Sequence, residues 1–116
     1  MTIEILAYSG RPDPVIAVED AAAGELETRL AQLVPSPRGF APADRLGYRG
    51  LRVRSGAVEI EVSDGHVRVS GTDGRATDLD DAGRGLERWL LERARAAGGA
   101  DDHALVEAIL REVERR

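Results

Sequence analysis

Two turn dipeptides, Ser55-Gly56 and Asp64-Gly65, interrupt one run of alternating Val, Ile and charged residues, and together they dictate a register for three strands. With Ser55-Gly56 as a two-residue hairpin loop, Val53 falls opposite Val58, Leu51 opposite Ile60 and Arg52 opposite Glu59. With Asp64-Gly65 as the next loop, Val62 meets Val67, Ile60 meets Val69 and Glu61 meets Arg68. Both loops put Leu51, Val53, Val58, Ile60, Val62, Val67 and Val69 on one face and pair opposite charges on the other. That is the signature of an antiparallel sheet with one buried face. The spacing predicts a three-stranded meander over residues 49–70.

A third turn signal, Asp73-Gly74, does not continue this ladder. It would bring Asp78 opposite the inward-facing Val69, so the strand is expected to end or bulge near Gly71. Upstream, Thr2 to Tyr8 alternates with the two-residue period of a half-buried strand, and the prolines of Arg11-Pro12-Asp13-Pro14 break it before a second strand from Val15 to Val18. Asp20 is placed to cap a helix over 20–34, with an apolar stripe of Ala22, Ala23, Leu26, Leu30, Leu33 and Val34, stopped by Pro35. Asp80 or Asp81 caps a second helix over 81–97, striped by Leu86, Trp89, Leu90 and Ala94 and ended by Gly98-Gly99. Asp101 or Asp102 opens a third over 101–115, with Leu105, Val106, Ile109, Leu110 and Val113 inward and the pairs Glu107–Arg111 and Glu112–Arg116 outward. The expected fold is a single α+β domain over residues 1–116. It has a mostly antiparallel sheet of about five strands covered by about three helices.

Composition narrows the chemistry. Apolar residues make up 42% of 116 residues and charged ones 32%, enough for one core and too little apolar character for a membrane protein. With one Trp, one Phe and two Tyr, that core is built from Leu, Ile, Val and Ala. The absence of cysteine removes disulfides, thiolate metal sites and thiol nucleophiles. No apolar run reaches the length of a membrane span and Met1 to Tyr8 lacks the form of a signal peptide, so the cytoplasm is the expected location. All 16 basic residues are Arg, which beside abundant Ala, Gly and Val reads as codon bias in a GC-rich bacterial genome rather than as a binding signal. A net charge of −5 opposes binding to a phosphate backbone, and nucleic acid is not an expected partner.

Most chemistry-bearing residues have structural explanations. His66 follows a turn with no second ligand at metal spacing, and Asp101-Asp102-His103 sits where a helix start favours acids. Asp78, Asp80 and Asp81 lack the spacing of a calcium loop, and Ser9, Ser36, Ser55, Ser63 and Ser70 stand in no nucleophile motif. No glycine fingerprint for phosphate is present. No catalytic, metal or cofactor residues are therefore assigned. What remains is the irregular stretch from Pro35 to Gly50, which carries Arg38, Phe40, Arg45, Tyr48 and Arg49, residue types enriched at binding hot spots. Joined with Arg11 and Asp13 of the proline-containing loop it forms one composite candidate surface, with a lid that packs Phe40 down as the structural alternative.

Tyr8-Ser9-Gly10-Arg11-Pro12-Asp13-Pro14, Leu46-Gly47-Tyr48-Arg49-Gly50 and Gly85-Leu86-Glu87-Arg88-Trp89-Leu90-Leu91 resemble a family of short bacterial proteins that open with a strand and an S-G-R-P-x-P turn. Val15-Ile16 departs from it, standing where the family carries an aromatic. The resemblance marks Gly10-Arg11-Pro12 and Gly47-Tyr48-Arg49-Gly50 as family features and implies no reaction, cofactor or substrate. The sequence thus leads to a non-enzymatic accessory protein that recognises a protein or peptide through the Arg11 and Phe40–Gly50 surface or through an open sheet edge. Two other readings stand beside it. One is a small enzyme using Asp13, Tyr48 and Arg side chains for acid–base chemistry. The other is an oligomerisation or structural domain, for example one that pairs its first strand across a two-fold axis.

Overall fold

The computed structural model describes residues 1–8, 12–41, 43 and 47–115. Its strands are β1 (Thr2–Leu6), β2 (Val15–Ala17), β3 (Val34–Pro35), β4 (Gly50–Ser55), β5 (Val58–Ser63), β6 (His66–Ser70) and β7 (Ala76–Asp80). They form one sheet in the order β2-β1-β4-β5-β6-β7-β3, and every pairing is antiparallel. The helices are α1 (Ala21–Ala31), α2 (Gly85–Ala97), preceded by a 3-10 turn at Ala82–Arg84, and α3 (Ala100–Glu114). The α+β class and the antiparallel sheet agree with the sequence reading. The strand count is seven among the described residues rather than about five, because β3 and β7 were not expected.

The meander pairs as its turn chemistry requires, with one correction. Asp64 and Gly65 both take positive φ, 50° and 83°, the geometry of a type I′ turn, and Val62↔Val67, Glu61↔Arg68 and Ile60↔Val69 follow. The preceding loop is Gly56-Ala57, not Ser55-Gly56. Only Gly56 is left-handed there, with φ 59°, as a type II′ turn needs at its first central position. Ser55 therefore pairs Val58, Val53 pairs Ile60 and Arg52 pairs Glu61. A slip of two preserves side-chain parity, so the inner face is the one expected. The ladder also runs on through β7. The turn occupies 71–75, closed by the Gly71 N–H to Arg75 C=O bond, and this longer loop puts Thr77 opposite Val69 and Asp78 opposite Arg68.

All three helices cover the inner face. Ile3, Ile5, Ile16, Leu51, Val53, Ile60, Val62 and Val67 of the sheet share one buried cluster with Leu26 of α1, Trp89 and Leu90 of α2, and Val106 and Ile109 of α3. Each such aliphatic side chain contributes about 1.5–3 kcal/mol by leaving water, which is how a core so poor in aromatics is sustained. The Arg29 guanidinium lies 4.8 Å from the Trp89 ring centroid and ties α1 to α2.

The expected caps are redistributed. Asp20 makes no side-chain capping bond and lies 3.5 Å from the N-terminal ammonium instead. Helix α3 starts at Ala100 after Gly99, leaving Asp101 and Asp102 in its first turn, where they favour the positive end of the helix without capping it. Glu107–Arg111 forms, while Glu112–Arg116 involves a residue outside those described. No helix among the described residues is long and apolar enough to cross a membrane.

Candidate functional site

The segment that follows β3 is laid over the outer, charged face of the sheet. The Phe40 N–H donates to Asp78 Oδ2 at 3.2 Å, the Arg68 guanidinium lies 5.4 Å from the Phe40 ring centroid, and the Ala43 N–H donates to Ser63 Oγ. Ser63 in turn donates to the Arg49 carbonyl at 2.7 Å. Asp78 and Arg68 are bound to each other at 2.8 Å, which holds the Asp78 carboxyl below the usual carboxylate range and raises the guanidinium. Phe40 is thereby packed onto the sheet, as in the lid alternative, and Arg38 beside it is exposed.

Asp13 and Arg49 do meet, with Arg49 Nη2 3.9 Å from Asp13 Oδ2. Their task is local. Asp13 Oδ1 accepts the Ala7 and Tyr8 N–H groups at 3.0 and 2.8 Å, and Arg49 donates to the Tyr8 carbonyl, so the pair fastens the end of β1. Phe40 packs over Arg68 of β6, two strand spacings, about 10 Å, from β4, which Arg49 leads into. Among the described residues, Asp13 with Arg49 and Phe40 with Arg68 make distinct contacts, linked through Ser63, which accepts from Ala43 and donates to the Arg49 carbonyl. Arg11 and Arg45 lie outside the described residues.

Tyr48 belongs to neither group. It is 4% exposed, and its hydroxyl donates to Glu87 Oε2 at 2.5 Å. Gly50, two residues on, has φ 134°, and a Cβ there would come to 2.2 Å from the Val62 carbonyl, so only glycine lets β4 approach β5 this closely. Glu87 is itself 1% exposed, and its Oε1 has no hydrogen-bond partner among the described residues. Burial pushes its carboxyl above the ordinary range, against the opposing pull of the Tyr48 hydroxyl and the Arg84 charge. Beside it Asp81 accepts the Leu86 and Glu87 N–H groups at 2.9 and 3.0 Å. The sequence reading starts α2 at 81 behind Asp80 or Asp81, but the helix starts at Gly85 with Arg84 in the N-cap position, and Asp81 reaches its first turn from across the 3-10 turn. Arg84 reaches Asp64 at 3.8 Å. Glu87 sits on the apolar side of α2 between Leu86 and Trp89, and that break in the stripe is the one signal by which sequence reading could have found it. A depression of about 400 Å³ opens nearby between Asp64, Arg84, Arg88 and Glu114, and Glu87 does not line it. The perturbed carboxyl and the phenol are thus both enclosed by the core.

The feature open to solvent is the sheet's β2 edge. The Val18 N–H donates to the Met1 carbonyl and the Ile5 N–H to the Pro14 carbonyl, which makes Met1↔Val18, Ile3↔Ile16 and Ile5↔Pro14 the hydrogen-bonded pairs of the β1–β2 ladder. By the alternation of an antiparallel ladder, the N–H and C=O of Val15 and Ala17 point away from the sheet. Val15 is 61% exposed. The opposite edge differs. There the Ser36 N–H bonds the Asp78 carbonyl and Val34 pairs Asp80, so the residue turned outward is Pro35, which has no N–H to offer. Because β1 is flanked on both sides, by β2 and β4, the expected pairing of the first strand across a two-fold axis cannot occur. No family model, curated protein or solved structure matches the chain.

Proposed function

We propose that this protein is a non-enzymatic binding module that takes an extended segment of a partner polypeptide onto β2 as an eighth strand. The observation that carries the reading is the outward set of donors and acceptors on Val15 and Ala17, at an edge flanked by an exposed valine. Proteins usually blunt such an edge; Pro35 blunts the opposite one, whereas β2 is limited only by its length of three residues. The acid–base reading has less support, since Asp13 is engaged by two backbone N–H groups and Tyr48 by Glu87.

Four backbone hydrogen bonds at about 1 kcal/mol net each would give about 4 kcal/mol, a dissociation constant near ~1 mM. Side-chain contacts must therefore supply both useful affinity and choice of partner. A random peptide display selection on the immobilised protein, run beside Ala17→Pro, tests the reading. The substitution removes one outward N–H without touching the β1 ladder, and urea unfolding checks that it folds. Peptides rich in β-branched residues that bind the wild type and lose Ala17→Pro are expected. Failure to enrich any peptide on the wild type over the folded variant would refute the proposal.

A further inference from the structure

We infer that the segment taken by β2 carries an arginine or lysine opposite Val15. This rests on the edge-binding reading above and adds the partner's chemistry to it.

Pairing across the sheet lines up one outer-face row through Val15, Glu4, Arg52, Glu61, Arg68 and Asp78. From Glu4 inward the signs alternate, three acids to two arginines, so the row has one negative charge in excess and ends at the β2 edge on an acid. Arg52 does not neutralise Glu4 alone. It lies 3.2 Å from Glu4 and 3.1 Å from Glu59, shared between the two. A residue opposite Val15 on an added strand sits two strand spacings, about 10 Å, from Glu4. A long basic side chain bridges that gap by laying its alkyl stem on the exposed Val15 and its charge against Glu4, whereas an acid there meets repulsion.

The adjacent row has the opposite bias. It runs Ala17, Thr2, Arg54 and Glu59, so its first charge from the edge is positive and 61% exposed. A basic residue is thus favoured opposite Val15, and the adjacent row, whose first charge is Arg54, presents no acid at the edge to attract one. The chain's net charge of −5 and the exposed Glu19 and Asp20 just past β2 attract the same kind of partner at long range. A second copy of this chain does not meet the requirement. Two-fold pairing about Ile16 puts alanine opposite Val15, and Asp13 opposite the partner's Glu19.

The test repeats the display selection on wild type, Glu4→Gln and Glu4→Arg. The wild type should enrich one Arg or Lys at a fixed position, Glu4→Gln should bind peptides without that preference, and Glu4→Arg should reverse it toward Asp or Glu. In fluorescence anisotropy, changing that Arg to Met in a selected peptide should weaken wild-type binding about two- to fivefold, the size of one exposed ion pair, and leave Glu4→Gln binding unchanged. Peptides selected with no basic preference, or with one that Glu4→Gln retains, would overturn this inference and leave the edge reading standing. No selected peptide at all would overturn both.

Discussion

Replacing Tyr48 by Phe deletes one hydroxyl and keeps the ring, so the part of the effect on stability that depends on Glu87 reports the bond between them. Among the described residues that bond is the one made by Glu87 Oε2 and Oε1 makes none, so the variant leaves a carboxyl at 1% exposure with neither oxygen bonded by them. The size of the loss depends on pH. With Glu87 protonated the bond is between neutral groups, and about 1 kcal/mol is expected; with Glu87 ionised it is charge-assisted, and the loss rises to about 2–3 kcal/mol.

The native Glu87 carboxyl is raised by burial, while in the unfolded chain it titrates near ~4.3. A raised carboxyl contributes stability that is complete below the unfolded value and is lost as pH rises through the native one. In the wild type the Tyr48 hydroxyl limits that loss, because it favours the charged form. In Tyr48→Phe the native value moves further up and the loss grows. Urea unfolding followed by the fluorescence of Trp89, the sole and buried tryptophan, measures both proteins between about pH 4 and about pH 8. The gap between them should widen by about 1–2 kcal/mol over that range. In a Glu87→Gln background the gap should remain near about 1 kcal/mol throughout. A gap independent of pH in the wild-type background, or full additivity of the two substitutions, would refute the account of Tyr48 and Glu87 as a coupled pair.

Gly50→Ala should cost more than about 3 kcal/mol, since a left-handed φ alone costs about 1–3 kcal/mol and the new Cβ would also collide with the Val62 carbonyl. A melting temperature within a few degrees of wild type would count against it. Asp81→Ala removes both acceptors at the start of α2 and should cost about 1–2 kcal/mol by denaturant unfolding; a loss too small to measure would show the cap to be dispensable. Asp78→Ala should expose the Phe40 amide to faster hydrogen exchange. Because Arg68 holds Asp78 below its ordinary value, wild-type protection at Phe40 should persist from neutral pH downward and fail only as pH drops through that lowered value. Unchanged protection in the variant would show that the Asp78 carboxylate does not hold the Phe40 amide.

Local chemistry was legible where it suffices. Asp64-Gly65 admits few backbone geometries, so the β5–β6 register follows from two residues. Ser55-Gly56 was ambiguous because the same glycine serves either turn frame, and the structure selected the frame in which Gly56 comes first. Parity survived this slip, which is why the inner face could be read while the pairing was not. The apolar stripes placed the three helices for the same reason, since 3.6-residue periodicity is written in neighbouring residues.

Contacts between distant segments were not legible. The two-residue β3 exists only because β7 lies beside it, and no short window of sequence contains both. Tyr48 reads as a surface aromatic in a loop until the approach of α2 sets Glu87 against its hydroxyl. The sequence alone, through turn residues and periodicity, determined the sheet's faces and its helices. Only tertiary structure decided which strand ends the sheet and which carboxyl is buried, because strand order and burial depend on contacts closed across long stretches of chain.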